Sequence, residues 1–177
     1  MASIIKANQL QDFGGNSILT SDGSGNVTVN AVGLKNTPFF YGRSTGTQNL
    51  SNSTSTVITF DTADYNTGSE FDTSNGKFIP ANGSTYLLHG QLKISTSINA
   101  TLQEARIQLY KNGSEVLEMR NDTYTTGTQY MSPSLSKIVT GNGSDYYQIY
   151  GHIYIVGGAT PSTRSGSFFT GHKLIGA

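Results

Sequence analysis

The chain has 177 residues, no cysteine, and 11 Lys and Arg balanced by 11 Asp and Glu. Charged residues make up 12%, about half the usual ~25%, while 22 Thr, 21 Ser, 14 Asn and 21 Gly supply nearly half of the chain. This composition excludes disulfides and Cys-ligated zinc, disfavours helices, whose interiors reject Ser, Thr, Asn and Gly, and lacks both the basic excess for nucleic acid and an apolar run near the ~20 residues that cross a bilayer.

Two short β-prone runs open the chain. Ile18-Leu19-Thr20 and Asn26-Val27-Thr28-Val29-Asn30 flank Ser21-Asp22-Gly23-Ser24-Gly25, the pattern of a hairpin around a Gly/Asp turn. A loop cluster, Asp12-Phe13-Gly14-Gly15-Asn16, precedes them. A lone hairpin is marginal in water. Residues 1–36 are therefore expected to form an arm that docks on another surface. Its apolar candidates are Ile4, Ile5, Phe13, Ile18, Leu19, Val27 and Val29. Met1 to Leu10 lacks the apolar centre of a secretory signal, which predicts release by lysis or assembly, or retention in the cell.

From residue 37 onward the pattern is β throughout. Pro38 to Ser44 reads as a strand with Phe39 and Tyr41 on one face and Phe40 on the other. Thr56 to Phe60 places Ile58 and Phe60 on one side. Phe71 and Phe78 flank a turn at Thr73-Ser74-Asn75-Gly76. Tyr86 to Ile94 reads as one continuous strand, with Tyr86, Leu88, Gly90, Leu92 and Ile94 sharing a face. Ala105, Ile107 and Leu109 alternate up to Asn112-Gly113, a two-residue hairpin signal, and Val116 to Met119 returns. Residues 121–134 read as a polar loop, followed by a strand at Leu135 to Val139.

The next strand has two substantial faces. Tyr147, Ile149, Gly151, Ile153 and Ile155 lie on one. Tyr146, Gln148, Tyr150, His152 and Tyr154 lie on the other. An exposed tyrosine ladder and a subunit contact both account for the second face, since aromatic residues are enriched in interface cores. A loop at 157–166 leads to a last strand at Ser167 to Ile175. Strands at this spacing mean an all-β sandwich or barrel.

Several phrases carry a resemblance. Ile58-Thr59-Phe60-Asp61-Thr62, then Tyr65 through Phe78 with Asn66-Thr67-Gly68 and Gly76-Lys77-Phe78, then Gly83-Ser84-Thr85-Tyr86, follow the order seen in the globular head of the first complement component's q subunit. Leu109-Tyr110-Lys111-Asn112-Gly113 resembles that family's central hairpin, and Ser167-Phe168-Phe169-Thr170-Gly171 its final strand. The resemblance implies a ten-stranded jelly-roll sandwich over residues 37–177 that assembles as a homotrimer, like the tumour necrosis factor group. It further implies that the first, penultimate and last strands share the sheet facing the threefold axis. Phe39, Tyr41, Tyr150, His152, Tyr154 and Phe169 are then the candidates for the trimer interface. His172-Lys173 departs from the apolar ending typical of the family. The arm, through Ser3-Ile4-Ile5-Lys6, Gly14-Gly15-Asn16 and Ser21 to Thr28, resembles the N-terminal modules of bacteriophage tail-fibre and virion proteins.

No catalytic constellation stands out. His89, His152 and His172 are the histidines, and none has metal-ligand spacing. Three copies of His152 at a symmetry axis could hold a metal or anion, but a packed or solvated imidazole is the simpler expectation. Asp61-Thr62-Ala63-Asp64 offers oxygen ligands for calcium, although turn chemistry explains these aspartates equally. Glu104, Glu115 and Glu118 are expected to face solvent, not to pair as glycosidase carboxylates. The expectation is therefore no catalysis, no cofactor and no metal. The leading reading is a bacteriophage virion protein exposed on the particle surface, a tail-fibre tip or host-attachment knob. Its arm binds other virion proteins, and loops 121–133 and 157–166 meet a host-surface glycan or receptor. A capsid-decorating trimer and a lectin-like module unrelated to virions stand as alternatives.

Overall fold

The computed structural model describes residues 7–31, 38–123 and 126–174. Every regular element in them is a strand. Those before residue 32 are β1 (Gln9–Gln11), β2 (Ser17–Ser21) and β3 (Val27–Val29), which form a three-stranded antiparallel sheet instead of a two-stranded hairpin. Two matching turns build it. Asp12 and Asp22 each begin an Asp-x-x-Gly-Asn segment, ten residues apart. In the first, Asp12 accepts hydrogen bonds from the backbone N–H of Asn16 (2.8 Å) and from its Nδ2 (2.9 Å). In the second, Asp22 does the same for Asn26 at 3.2 and 2.6 Å. Gly15 and Gly25 supply positive φ, 79° and 94°, at the same place in each turn. The two turns are therefore copies of one ten-residue unit.

The following strands are β4 (Phe39–Arg43), β5 (Thr56–Val57), β6 (Thr62–Asn66), β7 (Phe71–Asp72), β8 (Lys77–Phe78), β9 (Thr85–Gln91), β10 (Ile94–Thr96), β11 (Leu102–Lys111), β12 (Ser114–Asp122), β13 (Tyr130–Met131), β14 (Ser134–Thr140), β15 (Tyr147–Ile155), β16 (Pro161–Thr163) and β17 (Phe168–Lys173). Ten of them make two facing sheets, ordered β14-β9-β17-β4-β6 and β12-β11-β15-β8-β7, with β5 added against β15. This is the sandwich that the strand spacing allows and the jelly roll that the resemblance implies. A small third sheet, β13-β10-β16, closes one end.

The core lies between the sheets. Phe40 and Phe169 come from one sheet and Phe71 and Phe78 from the other, with ring centroids 4.6–5.0 Å from Phe40. Such pairs add ~0.5–1.5 kcal/mol beyond their burial. Gly42 makes room for this cluster, since a Cβ there would come within 2.5 Å of the Phe71 ring. The alternating residues read from the sequence are the buried ones: Tyr86 and Leu88; Ala105, Ile107 and Leu109; Ile149 and Ile153. At the Asn75-Gly76 turn, Gly76 has φ of 70° and lies so close to Ile58 that a Cβ would sit 2.6 Å from its carbonyl oxygen.

Further expectations differ from the structure. The strand expected from Tyr86 to Ile94 is two strands, β9 and β10, in different sheets. The chain changes sheet at Leu92-Lys93, where Leu92 N–H donates to Pro133 O and Lys93 N–H to Ser167 Oγ. The polar loop at 121–134 contains β13, and the loop at 157–166 contains β16. Asp61-Thr62-Ala63-Asp64 runs into an edge strand, with Asp61 accepting from Thr45 and Asp64 paired with Arg43 at 2.7 Å.

Candidate functional site

The outer face of the β14-β9-β17-β4-β6 sheet presents its side chains in register. One row across the strands is Ile138, Leu87, His172, Phe39; the next is Ser136, His89, Thr170, Tyr41, Tyr65; the third is Ser134, Gln91, Phe168, Arg43. Opposite residues on neighbouring strands share a face, so these rows form one surface. It is aromatic: Phe39 stacks on His172 at 5.8 Å and Tyr41 on Phe168 at 5.5 Å, while His89 lies 5.2 Å from Phe168. It is also exposed where an isolated domain would be polar. Ile138 is 61% accessible, Tyr65 57% and Leu87 39%. Its charges sit at the rim, where Arg43 and Asp64 pair. His89 Nδ1 lies 2.9 Å from the Leu135 carbonyl, which can only accept, so Nδ1 carries the hydrogen.

The outer face of the other sheet has a different chemistry. Its rows are Tyr154, Glu104, Asp122; then His152, Arg106, Arg120; then Tyr150, Gln108, Glu118; then Gln148, Tyr110, Glu115. Like charges therefore lie directly opposite, which alone would destabilise. The pairing runs instead along each strand and across the diagonals between them. Arg106 bonds Glu104 at 2.6 Å and Glu118 at 3.0 Å. Arg120 bonds Asp122 at 2.9 Å and approaches Glu104 at 3.7 Å. These bonds raise the Arg106 pKa further above its ordinary range, the Glu104 hydrogen bond first. Gln108 is buried: its amide donates to Glu115 and Glu118, and its oxygen accepts from Ser55 Oγ at 2.8 Å. Tyr150 stacks on Tyr110 with centroids 3.9 Å apart. His152 Nδ1 is buried with no hydrogen-bond partner, 3.6 Å from Glu104. Burial depresses the His152 pKa, and Arg106 adds to the effect.

The six residues expected at one trimer contact thus occupy three places. Phe39 and Tyr41 lie on the outer face of the first sheet. Phe169 does not reach that face: it is fully buried in the domain's own core, because on β17 it alternates with the outward Phe168 and Thr170. Tyr150, His152 and Tyr154 are on β15, which belongs to the opposite sheet. The penultimate main strand does not share a sheet with the first and last. Glu115 is exposed, as expected, and accepts from the Gln108 amide, whereas Glu104 and Glu118 are half-buried partners of Arg106. Leu87, His89, Ile138, Tyr65 and Phe168 were not singled out by the sequence. The signal available was an apolar Leu87 on the otherwise polar side of β9.

Among the anchoring candidates, Ile4 and Ile5 lie outside the described residues. Phe13 is fully exposed at the first turn. Leu19 and Val29 form a cross-strand row with Leu10, and Val27 shares their side, whereas Ile18 points to the other side. Leu10 and Leu19 of this row, with Val27, border a shallow apolar depression of about 160 Å³. Among the described residues, no group of three or more His, Asp or Glu has the geometry of a metal site. No helix among them is long and apolar enough to cross a membrane.

Two facing five-strand paths in this order are the architecture of a known domain, and residues 39–174 match the C1q domain family. The chain belongs to the C1q domain family. Solved structures share the C1q fold at low identity. The globular domain of zebrafish complement 1qA protein is 12% identical with a TM-score of 0.54, covering 80% of this chain and 98% of that one. Eiger TNF from S. frugiperda is 14% identical with a TM-score of 0.52, covering 78% and 92%. Murine APRIL is 11% identical with a TM-score of 0.53, covering 77% and 98%. No curated protein sequence matches the chain. C1q and TNF domains are non-enzymatic ligand-binding or structural modules and generally form homotrimers.

Proposed function

We propose that this C1q domain is a homotrimeric, non-enzymatic knob on the surface of a bacteriophage particle, where it serves host attachment. The observation that carries the trimer is the exposed aromatic face of the β14-β9-β17-β4-β6 sheet. It sets Phe39, Tyr41 and Phe168 beside Leu87 and Ile138, with charge confined to the rim. Contiguous exposed apolar surface of this kind marks an interaction site, and identical copies of an uncharged face do not repel one another.

The virion placement draws on other features. A short β module with an uncovered apolar row precedes the head. An exposed apolar row of this kind marks an interaction surface, and a neighbouring virion protein would supply its cover. The hydroxyl- and amide-rich exterior suits recognition of host-surface glycans through neutral hydrogen bonds.

Light scattering of the purified chain should give three times its 18.9 kDa mass. Antibodies against it should label intact particles, and the trimer should bind host cells. A monomer in solution overturns the assembly, and unlabelled particles overturn the virion placement.

A further inference from the structure

On the sheet opposite the proposed assembly face, a shallow cleft of about 170 Å³ is lined by Gln103, Glu104, Arg120, Asp122 and Tyr154. Drug-sized pockets run ~300–1,000 Å³, so this cleft suits one small ring-shaped unit. Its wall is Tyr154, 44% accessible. The other tyrosines on this face are occupied: Tyr110 and Tyr150 stack on each other, and Lys77 lies 4.1 Å over the Tyr146 ring. Among the described residues, Tyr154 is the tyrosine of this face with no ring or cation partner. Gln103 contributes a side-chain amide with no hydrogen bond to another described residue.

The polar groups of the cleft select the class of ligand. Arg120 is held by Asp122 and Glu104, and Glu104 is also held by Arg106. Among the described residues, no unpaired cation lines the cleft to attract a sulfate, phosphate or carboxylate, and the two lining carboxylates repel one. The same carboxylates already accept from guanidinium groups, so a basic peptide gains little. What remains is a fixed set of acceptors, N–H donors and one amide beside an open aromatic face. That set matches a hydroxyl-bearing ring with an apolar C–H side, which stacks on the tyrosine while its hydroxyls exchange hydrogen bonds with the rim.

We propose that the Tyr154 cleft binds one pyranose unit of an uncharged host-surface glycan. The proposal rests on the attachment reading above and moves the contact from the loops to the β11–β15 sheet surface. Because this surface faces away from the assembly face, all three copies in a trimer keep it open. Weak single-site binding would then be multiplied by simultaneous engagement of a polyvalent surface.

The test uses the full chain on an array of neutral, sialylated and sulfated oligosaccharides and a lysine-rich peptide, with the same variants assayed on host cells. Neutral glycans should bind. Tyr154→Ala should weaken that binding about tenfold, the scale of one stacking contact, with trimer mass unchanged. Tyr154→Phe should keep it, because the ring remains. Arg120→Ala should also weaken it. If no neutral glycan binds, if only acidic glycans or the peptide bind, or if Tyr154→Ala binds like the wild type, the site is overturned. Host-cell binding that survives Tyr154→Ala overturns this site but leaves the attachment reading standing. Failure of the wild-type trimer to bind cells removes the attachment reading itself.

Discussion

The two outer faces of the sandwich solve the same problem in opposite ways. Both carry large side chains on central strands, and both have tyrosines. On the β12-β11-β15 face, apart from His152 and the cleft at Tyr154, the side chains satisfy one another: Arg106 bridges Glu104 and Glu118, Gln108 bridges Ser55 and two glutamates, and Tyr150 covers Tyr110. On the β9-β17-β4 face, stacked pairs such as Tyr41 with Phe168 leave Leu87, Ile138 and Tyr65 open to water. A self-satisfied polar face is stable as it stands. An open aromatic face gains by being covered. Tyrosine count alone does not distinguish them, because the decisive difference is what each ring touches.

The comparison can be broken by substitution. The largest expected effect is on neither face. Phe169→Ala should cost ~3–5 kcal/mol of folding stability, because Phe169 packs among Phe40, Phe60 and Phe71 in the core. Chemical denaturation would show it, and a variant that dissociated at unchanged stability would put Phe169 back at an interface. Next is a matched pair. Tyr41→Asp should weaken trimerisation by about a hundredfold, since an unpaired charge would enter a covered aromatic surface. Tyr150→Asp on the other sheet should leave the trimer intact. Light scattering over a dilution series distinguishes them, and equal dissociation of both would remove the distinction between the faces.

The smallest effect is pH-dependent. Burial and Arg106 hold the His152 pKa down, against the opposing pull of Glu104, Glu118 and Glu115. A depressed folded pKa means that the neutral ring contributes stability above its unfolded value, ~6.5. That contribution is lost as pH falls through the lowered folded value. Glu70 shifts the other way, its pKa raised by burial, but it is common to both proteins compared. The wild type should therefore lose more stability than His152→Gln on going from neutral to acidic pH. Equal losses in urea midpoint would contradict the assignment.

Much of the fold was legible because period-two burial is local. Tyr86 and Leu88, Ile107 and Leu109, and Ile149 and Ile153 each announce an inward face two residues at a time. The positive φ of Asn112 and Gly113, 52° and 80°, follows from the dipeptide itself. Sheet membership was not legible. β15 could pair with β17 or with β11 on alternation alone, and the choice is made by long-range pairing. The ionic rows were hidden for the same reason. Glu104 and Arg106 on β11 meet Glu118 and Arg120 on β12 only through the β11–β12 register, which shifts at Leu109/Tyr110. The repeated turns at Asp12 and Asp22 were present in the sequence but are short, and their equivalence is plain only once both aspartates are seen holding an asparagine.

The central claim is that the aromatic face is covered in the native assembly and the ionic face is not. Hydroxyl-radical footprinting of the unmodified chain tests it directly, residue by residue. The account predicts that Tyr41, Leu87, Phe168 and Ile138 are protected while Tyr154 is oxidised, although Ile138 is the more accessible of these last two in a single copy. Oxidation of Leu87 and Ile138 at the rate of Tyr154, or protection of Tyr154 in their place, would contradict it.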